Sequence, residues 1–266
     1  MLCCYLGACQ NTNEKVAEKT KQESIITKAS PVNENAEKTT TPDDYRNENW
    51  RPEEGNYFFS EMWTWTYYNE LLPADNPAQK GTFTVYVDPP TGTMLLADNL
   101  DEMTDWIIIH PDGRYTTAFT HVHGVPHIVQ QKMSDFPDHD FNLSAQQEEF
   151  QTYFTKQEKQ QTFGQNKYGW AVITADAYQQ TFAKTTDTTQ LYLKTMPFPV
   201  RGLYLVAQTN GDLALPLNLK YGYLLPENYL VISEDYKYNG KRIGYKLSSV
   251  SPTDYTVNTV TYKLNH

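Results

Sequence analysis

From Trp50 onward, apolar and polar residues alternate along the chain in short runs that are separated by turn residues. Alternation of this kind predicts strands whose two faces differ in polarity. In the run NYFFSEMWTWTYYN it places Trp63, Trp65 and Tyr67 on one face of a strand. The pattern therefore predicts a mainly β fold over residues 50–266, which we interpret as a single domain.

Four pairs of apolar runs are joined by short turns, which predicts four β-hairpins. Their turns fall at residues 89–92, 111–113, 210–211 and 239–240, and a last strand is predicted within DYTVNTVTYKL at the end of the chain. Because consecutive hairpins make an antiparallel meander, we expect the sheet to form a half-barrel, a barrel or a sandwich.

Only one or two short helices are expected beside the sheet. A helix is predicted from Ser144, where Gln147 completes a capping box, to about residue 160. A shorter helix is predicted just after Asp176. Aromatic residues of the first helix share one face, which can dock on a sheet: Phe150, Tyr153 and Phe154.

The first fifty residues have a different composition. Residues 10–49 contain almost no large apolar side chains, so they cannot bury enough surface to offset their ordering entropy, and we predict a disordered linker. The cysteines all precede this linker, at Cys3, Cys4 and Cys9. The folded part can therefore hold neither a disulfide nor a thiolate metal site.

The segment Leu6-Gly7-Ala8-Cys9 resembles the lipobox of bacterial lipoproteins. That resemblance implies a signal-peptide remnant at residues 1–9 and a diacylglycerol thioether on Cys9, with acyl chains such as palmitate. The expected location is then a bacterial cell envelope with its periplasm, with the chain anchored by lipid to the outer membrane, while the side of the membrane on which the domain lies stays open. Only eight residues precede Cys9, fewer than a signal peptide needs, so we expect that the start codon has been placed too late.

The order of the predicted elements and the closing segment NGKRIGYKLSSVSPTDYTVNTVTYKL resemble the half-barrel of the periplasmic lipoprotein carriers of the LolA/LolB type. The resemblance implies a long curved antiparallel sheet that wraps a helix and encloses an apolar cavity. It carries no functional residue over to this chain.

The sharpest chemical feature is the segment HVHGVPH, which contains His121, His123 and His127. Strand alternation would place the first two on one side, and two imidazoles at that spacing can bind one metal ion. The alternative is a strand whose polar face carries neutral histidines. The next acidic segment, residues 138–149, has the spacing of a calcium loop, but Leu143 occupies the position that requires glycine, so we predict an ordinary loop that leads into a helix.

Charge and motifs narrow the class of function. A net charge of −10 without a basic cluster argues against nucleic-acid binding. The chain lacks GxSxG, P-loop and GxGxxG motifs, so we predict a non-enzymatic protein without a cofactor. We expect an envelope lipoprotein, attached to the membrane by its lipid, that binds an apolar or amphipathic small molecule or an envelope protein.

Two other functions fit the same residues. The three histidines would serve a metal-binding protein or a metal-dependent enzyme. Trp63 and Trp65 would bind glycans or acyl chains if their stripe faced solvent or a cavity, whereas packed inward they would be core residues.

Overall fold

The structure is a computed structural model that describes residues 55–98, 100, 102–110, 115–132, 143–181, 187–209 and 221–264. The predicted lipid attachment at Cys9 and the predicted linker at residues 10–49 lie outside these ranges. All the described residues belong to one compact unit.

Strands dominate the described ranges, which contain twelve strands, three α-helices and a short 3-10 helix (Pro77–Gln79). The strands are β1 (Asn56–Asn69), β2 (Lys80–Asp88), β3 (Thr93–Leu96), β4 (Thr104–Ile109), β5 (Tyr115–Val122), β6 (Val125–Lys132), β7 (Thr155–Gln165), β8 (Ala171–Thr181), β9 (Thr188–Thr195), β10 (Tyr229–Tyr238), β11 (Lys241–Asn258) and β12 (Lys263–Leu264). The α-helices are α1 (Leu143–Tyr153), α2 (Arg201–Thr209) and α3 (Tyr221–Leu224). The predicted mainly β class is confirmed.

All twelve strands belong to one sheet, in the order β10-β9-β8-β7-β11-β1-β2-β3-β4-β5-β6-β12. Pairing is antiparallel except for two short parallel contacts, between β11 and β7 and between β12 and β6. β10 pairs with both β9 and β11, so strands β7 to β11 close on themselves at one end of the sheet. The predicted meander is present in β1 to β6 and in β7 to β10.

Three of the four predicted hairpins are confirmed. They are β2–β3, β4–β5 and β10–β11. At the turn of the last hairpin, Asn239 and Gly240 both have positive φ, of 47° and 79°. This is the conformation that a type I′ turn requires, and it matches the right-handed twist of the strands.

The hairpin predicted around residues 210–211 is wrong. Its first arm is the helix α2, while residues 210–220, which include the predicted turn, lie outside the described ranges. The run GLYLVAQT satisfies a strand and a buried helix equally well. The segment forms a helix that is buried in the main core, where Leu203, Tyr204 and Val206 pack.

Both helix predictions need correction. α1 ends at Tyr153 rather than near residue 160, and the polar run that follows is strand β7, which pairs with β8. Phe150 and Phe154 are buried as predicted, whereas Tyr153 is exposed. The helix predicted after Asp176 is wrong, since that residue lies inside β8, where pairing with β7 and β9 overrides the local aromatic spacing.

The end of the chain also differs from the prediction. The residues from Asp254 to Asn258 are not a separate strand but the last part of the 18-residue strand β11. β11 pairs with β1 along almost its whole length, which makes this pair the centre of the sheet. Only the two-residue strand β12 follows.

Both faces of the sheet bury apolar residues. The larger set, here called the main core, includes Trp63, Trp65 and Phe83 and is covered by residues of α2 and α3. The smaller set, the second core, lies on the opposite face and centres on Phe59 and Phe119. β3 and β4 contribute to both cores, which explains why MLL and III are continuous apolar runs rather than alternating ones.

Candidate ligand-binding site in the main core

The two tryptophans singled out in the sequence lie side by side in the main core. Trp63 is 6% exposed and Trp65 is 1% exposed, so neither ring offers a face to solvent. Trp65 stacks on Phe83 with ring centroids 5.2 Å apart. The indole N–H of Trp63 donates to Glu61 Oε2 at 2.7 Å, whereas that of Trp65 is buried without a partner. The stripe therefore faces inward, which leaves no surface for glycan stacking.

A small apolar void lies against these rings. Its volume is about 10 Å³, enough for about one water molecule. Pockets that hold small molecules measure roughly 300–1,000 Å³, so a ligand can enter only if part of the lining moves. The lining residues come from β1, β2, β3 and β10 on the sheet and from residues 196–203: Trp63, Trp65, Val85, Val87, Met94, Met196, Phe198, Val200, Leu203 and Leu230.

Residues 196–209, here called the cover segment, close the void from the side opposite the sheet. Backbone contacts hold its first part, because Met196 N donates to Asn228 O at 2.9 Å and Val200 N donates to Glu227 O at 2.7 Å. Phe198 packs against Gly92, where a Cβ atom would come within 2.5 Å of the phenylalanine. The described residues from Met196 to Thr209 belong to no strand, so no sheet ladder runs through the cover segment.

Tyr204 fastens the helix of the cover segment to the sheet. Its hydroxyl accepts a hydrogen bond from Val231 N at 2.7 Å and donates to Tyr229 O at 3.3 Å. The β9–β10 pairing is irregular between Val231 and Ser233, and the tyrosine supplies the partner that the ladder leaves out. Burial raises the pKa of Tyr204, so the hydroxyl keeps its proton at neutral pH.

Polar groups are buried beside the aromatic rings. Glu234 on β10 is 7% exposed, and Tyr221 on α3 donates its hydroxyl to Glu234 Oε1 at 2.6 Å. Tyr245 on β11 lies directly opposite Glu234 in the ladder, but its own hydroxyl is buried and unpaired. Burial raises the pKa of Tyr221 and Tyr245 well above the ordinary value, and the negative charge of Glu234 acts in the same direction.

Arg201, a cation, is the first residue of α2 in the cover segment. Arg201 is only 8% exposed, its nearest carboxylate oxygen is Glu227 Oε2 at 4.0 Å, and its Nε is buried without a partner. Burial lowers the pKa of this guanidinium, and the nearby carboxylate of Glu227 acts in the opposite direction. The residue before it, Val200, lines the void. Arg201 itself does not line the void, but it directly follows a residue that does, and its Nε–H is buried without a partner.

The structure does not bring the three predicted metal ligands together. The prediction that His121 and His123 share a strand face is wrong, because β5 ends at Val122 and His123 lies in the turn with a φ of 52°. His127 pairs with Thr120, the neighbour of His121, and so points to the other face of the sheet. Within the described ranges, no group of three His, Cys, Asp or Glu residues is arranged to hold a metal ion.

His121 instead belongs to a small polar cluster next to the second core. Its Nδ1 contacts Asp105 Oδ2, which also accepts the hydroxyl of Tyr262 at 2.7 Å. The imidazole and the Tyr262 ring meet edge to face with centroids 5.3 Å apart. The cluster ties the end of the chain to β4 and β5. The acidic segment with calcium-loop spacing begins at residue 138, and residues 133–142 lie outside the described ranges.

Sequence reasoning found the tryptophans but missed the polar groups around them. The runs YLVISEDY and VRGLYLV show Glu234 and Arg201 as ordinary charged neighbours of apolar residues. A charge at a strand position or at a helix start is usually solvated. Its burial here depends on which element packs above it, and local sequence does not specify that.

No protein-family model matches the chain, and no curated protein matches it at a significant level. None of the helices in the described ranges is both long and apolar enough to cross a bilayer. Fold and site together define a class, a β-sheet protein with a closed apolar interior that contains a few unpaired buried polar groups.

Proposed function

We propose that this chain is an envelope lipoprotein, attached to a bacterial outer membrane through Cys9, whose domain binds an amphipathic ligand in the main core. The observation that supports the ligand proposal is the void between the sheet and the cover segment, which is lined entirely by aromatic, aliphatic and methionine side chains. The support for the anchor is the LGAC motif followed by the long polar stretch.

The unpaired polar atoms favour an amphipathic ligand over a purely apolar one. Three buried side-chain groups of the described residues lack partners: Trp65 Nε1, Arg201 Nε and Tyr245 Oη. Each buried unpaired donor costs about 1–3 kcal/mol, which a ligand with oxygen atoms in the right place would recover. Because one of the three is a guanidinium, we propose an anionic head group, such as a carboxylate or a phosphate, on an acyl chain.

Metabolic labelling with a fatty-acid analogue tests the anchor. The protein expressed in its native host from its own locus is expected to take up the label, and Cys9→Ala is expected to abolish it. Cys3→Ala with Cys4→Ala is the matched control and should keep the label, because the proposed thioether forms at Cys9 alone. Unlabelled wild-type protein, or labelled Cys9→Ala protein, would contradict the anchor.

Titration with a pyrene-labelled fatty acid and the corresponding fatty alcohol tests the ligand and its head group. We expect the wild type to bind the acid more tightly than the alcohol. Arg201→Gln should lower the affinity for the acid roughly tenfold or more and leave the affinity for the alcohol nearly unchanged. Arg242→Gln is the control, because Arg242 is half exposed and already makes two hydrogen bonds with Asp235. Failure of both probes to bind, or equal weakening by the two variants, would contradict the proposal.

A further inference from the structure

The tip of the β7–β8 hairpin exposes two large aromatic side chains. Tyr168 is 67% exposed and Trp170 is 71% exposed, the highest values among the large hydrophobic residues of the described ranges. Their ring centroids lie 5.9 Å apart, and Val172 next to them is 44% exposed. Single exposed apolar residues are common, but three within five residues at one end of a hairpin mark a candidate contact surface.

The turn that carries these rings is well ordered by its own hydrogen bonds. Asn166 Oδ1 accepts from Tyr168 N at 2.9 Å and from Trp170 N at 3.1 Å, and Asn166 N donates to Trp170 O at 2.9 Å. Gly169 has a φ of 79°, which permits the tight reversal. The turn therefore holds the aromatic pair in a fixed arrangement, so binding of a partner would cause only a small loss of conformational entropy.

The charge of this tip is opposite to that of the whole chain. Between Gln161 and Ala175 the one charged residue is Lys167, although the chain as a whole has a net charge of −10. The Lys167 ammonium lies 5.1 Å from the centre of the Tyr168 ring. A second cation, Lys246, lines a surface hollow beside the hairpin. An anionic surface would be repelled by most of the molecule and attracted here.

We propose that the tip of this hairpin, residues 165–172, is a second membrane contact that inserts Trp170 and Tyr168 at the interface of an anionic bilayer. Tryptophan and tyrosine favour the boundary between acyl chains and head groups, where the ring is in an apolar environment and the N–H or O–H stays hydrated. Lysines beside them are attracted to acidic lipids. The contact would orient the domain on the membrane and does not depend on lipid at Cys9.

The test uses the full chain with Cys9→Ala, so that a lipid anchor cannot contribute. We expect it to bind vesicles that contain phosphatidylglycerol more tightly than vesicles of phosphatidylcholine alone, with a shift of tryptophan emission to shorter wavelength. Trp170→Ala should weaken binding roughly tenfold, and Lys167→Glu should remove the preference for the anionic vesicles. The matched controls are Tyr238→Ala and Lys241→Glu at the β10–β11 turn, which should bind as the parent protein does.

Three outcomes would overturn this inference. The parent protein fails to bind either vesicle, Trp170→Ala binds as the parent does, or the protein alone forms a dimer that Trp170→Ala dissociates, which would assign the tip to a second copy of the chain. Loss of fatty-acid labelling at Cys9 would not affect this result, since the protein tested has no cysteine at that position.

Discussion

At the scale of single residues, the main core departs from ordinary packing by burying polar atoms. Two tyrosines with similar burial differ in one respect: the Tyr221 hydroxyl donates to Glu234, whereas the Tyr245 hydroxyl has no partner. Burying an unpaired hydroxyl costs free energy that a phenylalanine at the same position would not. An unpaired hydroxyl in the ligand-free protein is what we expect if the proposed ligand supplies its hydrogen-bond partner.

Replacing each of these tyrosines by phenylalanine should shift stability in opposite directions. Tyr245→Phe is expected to raise the free energy of unfolding by about 1 kcal/mol, because it removes an unpaired polar atom and keeps the ring. Tyr221→Phe should lower it by about 1–3 kcal/mol, because buried Glu234 loses a donor. Urea denaturation at neutral pH measures both. A loss of stability in Tyr245→Phe equal to that in Tyr221→Phe would show that both hydroxyls are paired.

At the scale of elements, the sequence predicts those strands and turns that depend on adjacent residues. It fails for elements whose structure depends on packing against distant parts of the chain. The hairpin at residues 239–240 was predictable because Asn-Gly selects its own turn. The helix α2 was not predictable, because the run GLYLVAQT is compatible with a strand and with a helix. Only its packing against the sheet distinguishes the two. The Trp63–Trp65 stripe followed from period-two alternation, while its inward orientation required knowledge of the cover segment.

The histidines at the β5–β6 turn show the same contrast between what local sequence predicts and what strand pairing decides. Alternation along β5 correctly gives the face of His121, but the strand ends at Val122, one residue before His123, which lies in the turn. The pairing of His127 with Thr120 is a property of the β5–β6 register. Spacing in the chain alone does not fix that register.

The attachment of the cover segment can be tested through two glycines that share a backbone conformation. Gly92 has a φ of 76° and touches Phe198, whereas Gly124 has a φ of 77° and open space around it. Alanine at either position should cost about 1 kcal/mol for the positive φ, and Gly92→Ala should cost at least about 1–2 kcal/mol more, because the added Cβ displaces Phe198. Urea denaturation gives both values. Equal losses would mean that Phe198 does not hold the cover segment to the β2–β3 turn.

At the scale of the whole molecule, a single sheet builds both a closed interior and an exposed aromatic tip. The pairing of β10 with β11 places Glu234 and Tyr245 side by side, and the turn between β7 and β8 exposes Trp170. The proposed anchor, the proposed interior site and the proposed hairpin contact all point to the surface of a membrane, and each can fail independently of the others.

The buried tyrosines give the whole domain a dependence on alkaline pH. The pKa of Tyr221 and Tyr245 in the folded protein lies well above 10.0, the value expected when the chain unfolds. The unfolded chain therefore loses these protons first. Stability is full below about pH 10 and falls above it, by about 1.4 kcal/mol per pH unit for each such group. Urea denaturation across alkaline pH should show this fall and a shallower one for Tyr245→Phe. The same slope in both proteins would contradict the assignment.

The location of a bound acyl chain tests the central claim most directly. In the full chain with Trp50, Trp106 and Trp170 replaced by phenylalanine, the remaining tryptophans are Trp63 and Trp65 of the main core. A fatty acid brominated along its chain quenches tryptophan emission only at short range. We predict saturable quenching of this protein, with the non-brominated acid as the control. Binding of the acid without quenching of these two rings would place the ligand elsewhere and contradict the account.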